Sequence, residues 1–376
     1  MTPVQRKPFA PVASAWSSLA QEARPNPFLS HHWHRALHEL AGEDAALEVA
    51  VLGSPERPEA MATLGSTRLL RGRVFRPRAL LLNETGSATM DRLTVEHNAV
   101  LASSGHEGRA LARLVTGLAS DPTWDEICVG WVDERHWADW WPAIEPSGVV
   151  SVVRDRCPYH FRDLGPAEGD PERLLAGLGR NTRSQIRRAL RAYGGPEGTR
   201  LQLAADSGEA GAWFDAMVRL HQARWQAIGK PGAFADAFMR DFHKRLIELG
   251  TMEGYTRMLR LEADGEPVAY LYNLRVGDYE CNYQSGLISE QDNKRKPGMV
   301  AHVLAMARAA SDGVRRYDLL MGDSQYKRSL ANGEGCMIRV TLQRRRVGLW
   351  LERQLRRLRG RLTAEIKPVD SLWPPG

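Results

Sequence analysis

The sequence predicts a mixed α/β protein of two domains, and three observations support this prediction. The chain has 376 residues, whereas an average domain has roughly 100–200. Strand-like runs alternate with helical ones, and a turn-rich break lies near the middle. In the second half a strand, a helix and a further strand follow one another, which implies one parallel pairing in an otherwise antiparallel sheet.

The composition excludes several classes of protein. Hydrophobic residues make up 43% of the chain and charged residues 26%, as in ordinary globular proteins. No apolar run approaches the roughly 18 residues of a membrane helix, and the first residues lack the apolar core of a signal peptide. The net charge of +6 is mild for this length, so we expect no DNA partner.

The cysteines and histidines predict neither a disulfide framework nor a metal site. The four cysteines are far apart in the sequence: Cys128, Cys157, Cys281 and Cys336. No two of them form a CxxC pair, so we expect reduced thiols and a cytoplasmic protein. His34 and His38 are four residues apart, but without a nearby cysteine or an HExxH motif we expect no bound metal.

The first half is predicted to contain mainly strands. The predicted strands are 47–52, 79–82 and 124–132, followed by a closing pair at 149–153 and 159–164. A helical region is predicted at 93–103 and 108–118. The turn-rich run from Gly165 to Pro171 predicts a boundary between a first domain at 1–165 and a second at 171–345, with a basic tail at 346–376.

The second half has a clearer pattern. Asn181 and Thr182 predict the start of a helix that ends near Tyr193, and Asp264-Gly265 predicts a hairpin turn. The predicted helices are 181–193, 209–228, 233–249, 299–311 and 324–330. The predicted strands are 201–205, 258–263, 267–276, 279–287, 314–319 and 337–343.

Runs of residues in the second half carry a resemblance to a known family. They are 179–191 (GRNTRSQIRRALR), 297–300 (PGMV), 312–318 (DGVRRYD) and 322–327 (GDSQYK). These runs resemble the CelD/BcsL type of GNAT acyltransferases, which are related to the FemABX peptidyltransferases. The resemblance covers about 173–343. It implies tandem GNAT-like folds, each a mixed, mostly antiparallel sheet flanked by helices, with a catalytic second domain.

By this resemblance, the protein is an enzyme that transfers an acyl group to an amine or hydroxyl acceptor by direct attack. Acyl-CoA is the co-substrate, and no cofactor is permanently bound. Helix N-termini bind pyrophosphate because their dipole and free N–H groups favour anions. The predicted donor site is the start of the helix near Met299: Lys294, Arg295, Lys296, Pro297, Gly298 and Met299. A solvated basic loop is the alternative.

The resemblance also assigns catalytic residues. Tyr326 is the predicted proton donor to the leaving thiolate, with a packing role as the alternative. Lys327 is expected to contact the donor. Asp318, at the end of a strand, and Glu280 are candidate bases that would deprotonate the acceptor. A salt bridge is the alternative for Glu280.

Substrate binding is predicted at two places. Tyr283 and Gln284, beside a strand bulge that this fold would use to polarise the carbonyl, are predicted to bind the acceptor. Arg183 and Arg187 share one stripe of the basic helix at 181–193. That stripe suits a phosphate group of CoA, of a lipid headgroup or of tRNA. A solvated helix surface is the alternative.

The basic tail predicts an amphipathic helix. Nine arginines lie between Arg339 and Arg361 against one acid, Glu352, and leucines recur at 351, 355, 358 and 362. Three alternatives stay open for the leucine stripe. It packs on the body of the protein, it lies on an anionic membrane surface at the inner face of the membrane, or the helix binds RNA.

Three functions therefore stay open. The first is an acyl-CoA-dependent acyltransferase acting on a small-molecule, lipid or saccharide acceptor. The second is an aminoacyl-tRNA-dependent aminoacyltransferase of the FemABX type, in which the two arginine clusters would bind tRNA. The third is a non-catalytic GNAT scaffold that binds a membrane surface or a partner.

Overall fold

The computed structural model describes residues 4–42, 45–71, 74–292 and 294–362, and it divides into two units. The first unit contains the described residues up to Cys157 and from Cys336 onward. The second unit contains Pro158–Gly335. Asn293, from the predicted donor loop, and the predicted tail beyond residue 362 lie outside the described residues.

Strands and helices alternate along the described part of the chain. Up to Asp163 they are β1 (Gln5–Lys7), α1 (Ala13–Ala23), α2 (His31–Ala41), β2 (Glu48–Gly53), β3 (Pro58–Arg68), β4 (Arg78–Leu82), β5 (Leu101–Ala102), α3 (Glu107–Gly117), β6 (Glu126–Asp133), α4 (Glu134–Ile144) and β7 (Val150–Asp163). After it they are α5 (Pro171–Ala176), α6 (Arg180–Ala192), α7 (Gly195–Gly198), β8 (Thr199–Leu203), α8 (Ser207–Ala227), α9 (Ala237–Gly250), β9 (Thr256–Ala263), β10 (Glu266–Val276), β11 (Tyr279–Leu287), α10 (Pro297–Ser311), β12 (Arg316–Met321), α11 (Gln325–Leu330), β13 (Gly333–Gln343) and α12 (Val347–Leu362).

In the first unit the strands lie in the order β1-β2-β3-β4-β6-β13. Neighbouring strands are antiparallel except β4 and β6, which pair in parallel. α3 and α4 cover one face, where Leu111 and Trp137 pack against Ile127 of β6. α1 covers the other face, with Trp16 packed near Val51 of β2. Burial of these apolar side chains on both faces holds the sheet between the helices.

In the second unit the strands lie in the order β7-β12-β11-β10-β9-β8. Among the described residues of this unit, β11 and β12 are the one parallel pair, as the strand–helix–strand order predicts. On one face, α5, α6 and α10 share a core that includes Leu174, Ile186 and Met306. On the other, α8 and α9 bring Phe214 and His243 against aromatic residues of β10 and β11. The predicted mixed α/β fold is confirmed.

The predicted hairpin turn is confirmed, whereas the predicted cap of α6 is wrong: the helix begins at Arg180, and its N-cap residue is Gly179 rather than Asn181 or Thr182. The turn between β9 and β10 lies at Asp264 and Gly265, whose φ angles are +54° and +82°. A two-residue turn with positive φ at both positions matches the twist of the flanking strands, which is why Asp-Gly predicts it. At the start of α8, the Asp206 carboxylate accepts the Glu209 N–H at 2.8 Å and caps the helix.

Several predictions for the first half are wrong. Residues 93–103 contain the strand β5 instead of a helix, because the segment lies extended with Leu101 paired to Met61 of β3. The two strands predicted at 149–153 and 159–164 are one continuous strand, β7. Pro158 keeps the preceding residue extended rather than forming a turn. The strand β3 and the helices α1, α2 and α4 were not predicted.

α12 forms within the basic tail, where an amphipathic helix is predicted. It packs on the first unit through Leu349 and Glu352, which are both buried. No helix in the described part of the chain is long and apolar enough to cross a lipid bilayer.

Gly286 of β11 tests how closely α8 must lie on the sheet. A Cβ atom at Gly286 would come within 2.5 Å of the Met217 carbonyl oxygen and 2.8 Å of its Cα. We expect Gly286→Ala to lower the free energy of unfolding by about 1–3 kcal/mol, because helix backbone must move. The control is Gly211→Ala in α8, where the new Cβ has no atom within 4 Å. We expect this change to be neutral or to raise the free energy of unfolding by up to about 1 kcal/mol. Urea unfolding measures both; equal effects would contradict the close contact.

Candidate active site

The parallel strands β11 and β12 pair over a short length only. Their paired residues in the described structure are Tyr279 with Arg316, Glu280 with Tyr317 and Cys281 with Asp318. β11 nevertheless continues to Leu287 and β12 to Met321. The strands therefore diverge beyond Cys281, and the carboxyl ends of parallel strands are where open α/β sheets bind ligands.

The divergence of β12 is built around Leu320. Its φ is +62°, a left-handed value that bulky residues rarely adopt, and the pairing of β12 with β7 shifts register between Asp318 and Met321. The Asp318 carboxylate accepts the Leu320 N–H at 2.7 Å and the Tyr279 hydroxyl at 2.8 Å. The structure thus places Asp318, a predicted base, in a fully buried position where it holds the bend.

Lys327 also holds the end of β12. Its side chain is 2% exposed, and its Nζ donates to the Leu320 carbonyl at 3.2 Å and the Met321 carbonyl at 2.5 Å. A buried ammonium needs such acceptors because desolvation of the charge is costly. The residue predicted to contact the donor is therefore engaged with the backbone that shapes the gap.

Glu280 lies in a buried polar network. Its carboxylate accepts Asn273 Nδ2 at 2.6 Å and lies 3.3 Å from Arg257 Nε. Asn273 Nδ2 also donates to the Tyr317 hydroxyl at 3.0 Å, and Arg257 pairs with Asp312 at 2.5 Å. Burial raises the pKa of Glu280. The salt bridge considered for Glu280 is present, and action as a base would require the carboxylate to leave these partners.

A bulge interrupts β11 at Tyr283. Tyr272 of β10 pairs with Gln284, but the next residue, Asn273, pairs with Asn282, so Tyr283 has no direct partner on β10. A bulge of this kind turns a peptide group out of the ladder. The Tyr283 ring packs 4.6 Å from the His243 ring, and the side chains of Tyr283 and Gln284 are both buried. The two predicted acceptor residues therefore flank the bulge.

Tyr326 stacks on His302 of α10. Their ring centroids are 5.6 Å apart with an interplanar angle of 21°. Burial raises the pKa of Tyr326 to about 12 and lowers the pKa of His302 to about 3. At neutral pH the phenol keeps its proton and the imidazole is uncharged. Tyr326 therefore carries, at neutral pH, the proton that a general acid would donate.

The N-terminus of α10 lies against the end of β11. Lys296 precedes the helix, Pro297 is its first residue, and no side chain among the described residues caps it. At Gly298 a Cβ atom would come within 2.8 Å of Leu287 Cδ1, so glycine allows the close approach. Lys294 and Lys296 are exposed. An uncapped N-terminus flanked by two exposed cations favours an anion.

The other two predicted donor residues have neighbours within the protein. The guanidinium of Arg295 lies 5.0 Å from the Tyr193 ring centroid, 3.6 Å from Asp264 and 3.7 Å from Glu290. These contacts tie the loop before α10 to the end of α6. Met299 packs at the edge of the hydrophobic core. Arg295 and Met299 therefore fix the position of the helix start.

The predicted arginines of α6 contact α5. Arg183 Nη1 donates to the Ala176 carbonyl at 3.0 Å, and Arg187 Nη2 lies 2.6 Å from Glu172. Three further arginines of this helix are exposed: Arg180, Arg188 and Arg191. The predicted cationic stripe is present, and two of its members also fasten the helix to its neighbour.

Three residues of this site were missed in the sequence: Asn273, Asn282 and His302. Asn282 Nδ2 donates to the Asn273 Oδ1 at 2.8 Å and to the Gln284 carbonyl at 3.1 Å. Asn273 interrupts the otherwise apolar run 268–274 of β10, and Asn282 lies in the buried part of β11. A buried amide must find partners, so an asparagine within a buried strand is the signal that could have found this network.

The first unit closes the corresponding gap with its own chain. β4 and β6 pair in parallel as far as Leu82 and Val129. Beyond them, Glu96 bridges in parallel to Trp131, and the Asn98 N–H donates to the Trp131 carbonyl at 2.9 Å. The Asn98 side chain also donates to the Leu82 carbonyl at 2.8 Å. The segment that contains Glu96 and Asn98 thus occupies the space beside β6. The second unit, where the corresponding strands diverge, is therefore the candidate active unit.

Comparison with known proteins agrees with this assignment. Residues 180–328 match the model of a family described as acetyltransferase (GNAT) domain, and this segment contains β11, β12 and α10. No curated protein matches the sequence. The family match supports a transferase and acyl transfer in general.

Several solved structures are similar to the chain over most of its length. FemX has 10% identity and a TM-score of 0.56, with 91% of this chain and 98% of FemX covered. L-PGS from Bacillus licheniformis has 10% identity and a TM-score of 0.54, with 92% and 96% covered. A conserved protein of unknown function from Bacteroides thetaiotaomicron has 12% identity and a TM-score of 0.54, with 92% and 100% covered. At these identities the similarity shows the fold alone.

His302 predicts a pH dependence of stability. Its pKa in the folded protein lies below that of an unfolded histidine, so the unfolded chain alone gains a proton as the pH falls below about 6.5. Between pH 7 and pH 5 we expect wild type to lose about 2 kcal/mol more unfolding free energy than His302→Gln, which cannot take up this proton. Urea unfolding at both pH values measures the difference. Parallel losses in the two proteins would show that His302 is not held neutral by burial.

Proposed function

We propose that the protein transfers an acyl group from acyl-CoA to an amine or hydroxyl acceptor by direct attack, without a covalent enzyme intermediate. One observation carries the proposal: β11 and β12 diverge beside the uncapped N-terminus of α10. The contact between Gly298 and Leu287 joins the two features. A thioester bound here would have its pyrophosphate at α10 and its carbonyl between the strands.

The chemistry requires a stabilised oxyanion and a proton for the leaving group. The acceptor's lone pair forms a bond to the thioester carbon, and the carbonyl electrons move to oxygen. Backbone N–H groups at the Tyr283 bulge are proposed to stabilise this charge. The oxyanion then collapses, the C–S bond breaks, and the thiolate takes a proton from Tyr326. Asp318 and Glu280 are the candidate bases that would take the acceptor's proton. To do so, each would have to give up a hydrogen bond or ion pair that it makes within the protein.

The proposed donor contacts are those of a helix N-terminus. Lys294 and Lys296 would neutralise the pyrophosphate, and the N–H groups of Gly298 and Met299 would bind its oxygens. Arg295 would act by holding the loop that carries the two lysines. The supporting observation is the exposure of both lysines beside an uncapped helix start.

The acceptor and the location of the protein are proposed on broader grounds. Tyr283 and Gln284 flank the bulge and would face a small-molecule, lipid or saccharide acceptor. The wide spacing of the four cysteines in the sequence, with no CxxC pair, supports a cytoplasmic protein. Within the GNAT proteins we propose the CelD/BcsL type, on the runs at 179–191 and 297–327.

An aminoacyl-tRNA donor is the second candidate, and the surface of α6 favours it. Exposed arginines lie along this helix. Tyr193, the residue directly after it, contacts Arg295 of the loop before α10. A cationic surface would therefore continue from the donor site along α6, as a polyanion longer than CoA would require. The three exposed positions are Arg180, Arg188 and Arg191.

Tyr326→Phe tests the proton donor. Loss of a general acid typically costs 10²–10⁴ in rate, so we expect kcat to fall about 100-fold with little change in KM. Tyr270→Phe, a buried tyrosine of β10 outside the proposed chemistry, should stay within about twofold of wild type. Steady-state kinetics with acetyl-CoA measures both variants. An unchanged kcat with chemistry rate-limiting would remove Tyr326 from the mechanism.

Lys294→Ala/Lys296→Ala tests the donor site. A ligand at about 100 times its Kd should add about 2.7 kcal/mol to the stability of wild type, and we expect the double variant to bind acyl-CoA about 10-fold more weakly. Lys230→Ala/Lys244→Ala removes the same charge from α9 and the segment that connects α8 to it, and this variant should bind as wild type. Thermal unfolding with CoA, acetyl-CoA and a long-chain acyl-CoA measures the shifts.

The same experiment separates the two donors. Stabilisation by acyl-CoA supports the first proposal. Absence of any shift with acyl-CoA, together with stabilisation by aminoacyl-tRNA that falls steeply with salt and is lost in Arg188→Gln/Arg191→Gln, would replace it by the second.

A further inference from the structure

The helix α12 is attached to the first unit by its polar side. Glu352 is 7% exposed, and its carboxylate lies 2.7 Å from Arg154 Nη1. Arg353 Nη1 donates to Gln343 Oε1 at 2.8 Å, and Arg356 Nη2 donates to the Arg154 carbonyl at 3.1 Å. These hydrogen bonds and ion pairs link the helix to β7 and β13 and fix which side of it faces the protein.

The opposite side of α12 is apolar and faces solvent. We call it the outer face, and its residues are Val347 (77% exposed), Trp350 (51%), Leu351 (44%), Leu355 (49%) and Leu358 (56%). At about 100° per residue, these five side chains span an arc of ~140°. The residues that contact the protein lie on the remaining arc. Five of the nine large apolar side chains exposed in the described residues therefore lie on this one helix.

This orientation is the reverse of the usual one. An amphipathic helix on a globular protein normally buries its apolar stripe, and a contiguous exposed apolar patch marks an interaction site. Packing on the body was one of three alternatives for the predicted leucine stripe, and its described members Leu351, Leu355 and Leu358 are turned away from the body. The polar network around Glu352 holds them there.

The charges around the outer face indicate which kind of partner it binds. Exposed arginines lie beside it at 345 and 357, Arg346 is ion-paired with Asp125, and the only acid of α12, Glu352, is buried and paired. A second copy of the helix would place arginines against arginines. RNA would pair with the arginines but leave the leucines exposed. An anionic bilayer suits both the leucines and the arginines, because acyl chains contact the leucines and headgroups pair with the arginines.

We propose that the outer face of α12 docks the protein on an anionic lipid bilayer, with the helix lying in the plane of the interface. Trp350, half-exposed at the start of the stripe, would sit at headgroup level, where tryptophan is favoured. This inference does not depend on the acyl chemistry proposed above. It would place the first unit, to which α12 is attached, at the membrane surface.

The first test is sedimentation of the full chain with vesicles of phosphatidylcholine, with and without phosphatidylglycerol. We expect binding only to vesicles that contain phosphatidylglycerol. Leu351→Ser/Leu355→Ser/Leu358→Ser should bind about 100-fold more weakly, since three apolar side chains no longer enter the bilayer. Arg357→Gln should weaken binding about fivefold. Equal binding to neutral vesicles, or none to either, would overturn the proposal.

A matched control separates the helix from general surface hydrophobicity. Leu70→Ser/Ile228→Ser/Met252→Ser removes three exposed apolar side chains elsewhere and should bind as wild type. If it loses binding as the helix variant does, the outer face is not the docking surface. The melting temperature of each variant shows whether it is folded.

A second measurement uses tryptophan fluorescence and leaves the leucines of the outer face unchanged. Tryptophan fluorescence of wild type should shift to the blue on addition of phosphatidylglycerol vesicles, and Trp350→Phe should lose most of that shift. An unchanged shift in Trp350→Phe would contradict insertion at this helix. A concentration-dependent dimer that disappears in the triple-leucine variant, without vesicle binding, would assign the outer face to a second copy and overturn the proposal.

Discussion

The interrupted pairing between β11 and β12 is the constraint on which the candidate site depends. After Cys281 and Asp318 the two parallel strands stop exchanging backbone hydrogen bonds. The freed backbone groups of β12 are satisfied locally: the Asp318 carboxylate accepts the Leu320 N–H, and Lys327 donates to carbonyls at the strand end. Two charged side chains are buried at this bend, where satisfied hydrogen bonds offset the desolvation of charge. A gap between two strands is thereby a stable feature.

Each unit contains a pair of parallel strands, but another segment bridges the strands beyond that pairing in the first unit, whereas the strands diverge in the second. In the first, Asn98 hydrogen-bonds to both Leu82 and Trp131 and closes the space beside β6. In the second, β11 and β12 diverge after Cys281, and the start of α10 approaches the end of β11 through Gly298. A fold built around one parallel strand pair thus supplies a closed, structural unit and an open one suited to acyl transfer.

Polar contacts, rather than apolar ones, decide where α12 lies. Glu352 pairs with Arg154 and Gln343 inside the protein, and Leu351, Leu355 and Leu358 face outward as a result. Breaking such a buried pair would leave an uncompensated charge, so the orientation of the helix is strongly specified. The same network that anchors the helix therefore presents its apolar face and links the first unit to a surface that can accept it.

The sequence by itself determined most elements of the second unit, including the Asp264-Gly265 hairpin, the single parallel strand pair and a helix start within two residues of Pro297, but not the short helices α5 and α7. These signals come from residues close together in the chain, which act through backbone preference and periodicity. In the first unit, periodicity was weaker, and the long strand β7 was predicted as two. Only the tertiary structure decided that Glu280 pairs with Arg257, that Lys327 binds β12 and that α12 faces outward. Those outcomes depend on residues far apart in the sequence, which packing and the need to satisfy buried charges bring together.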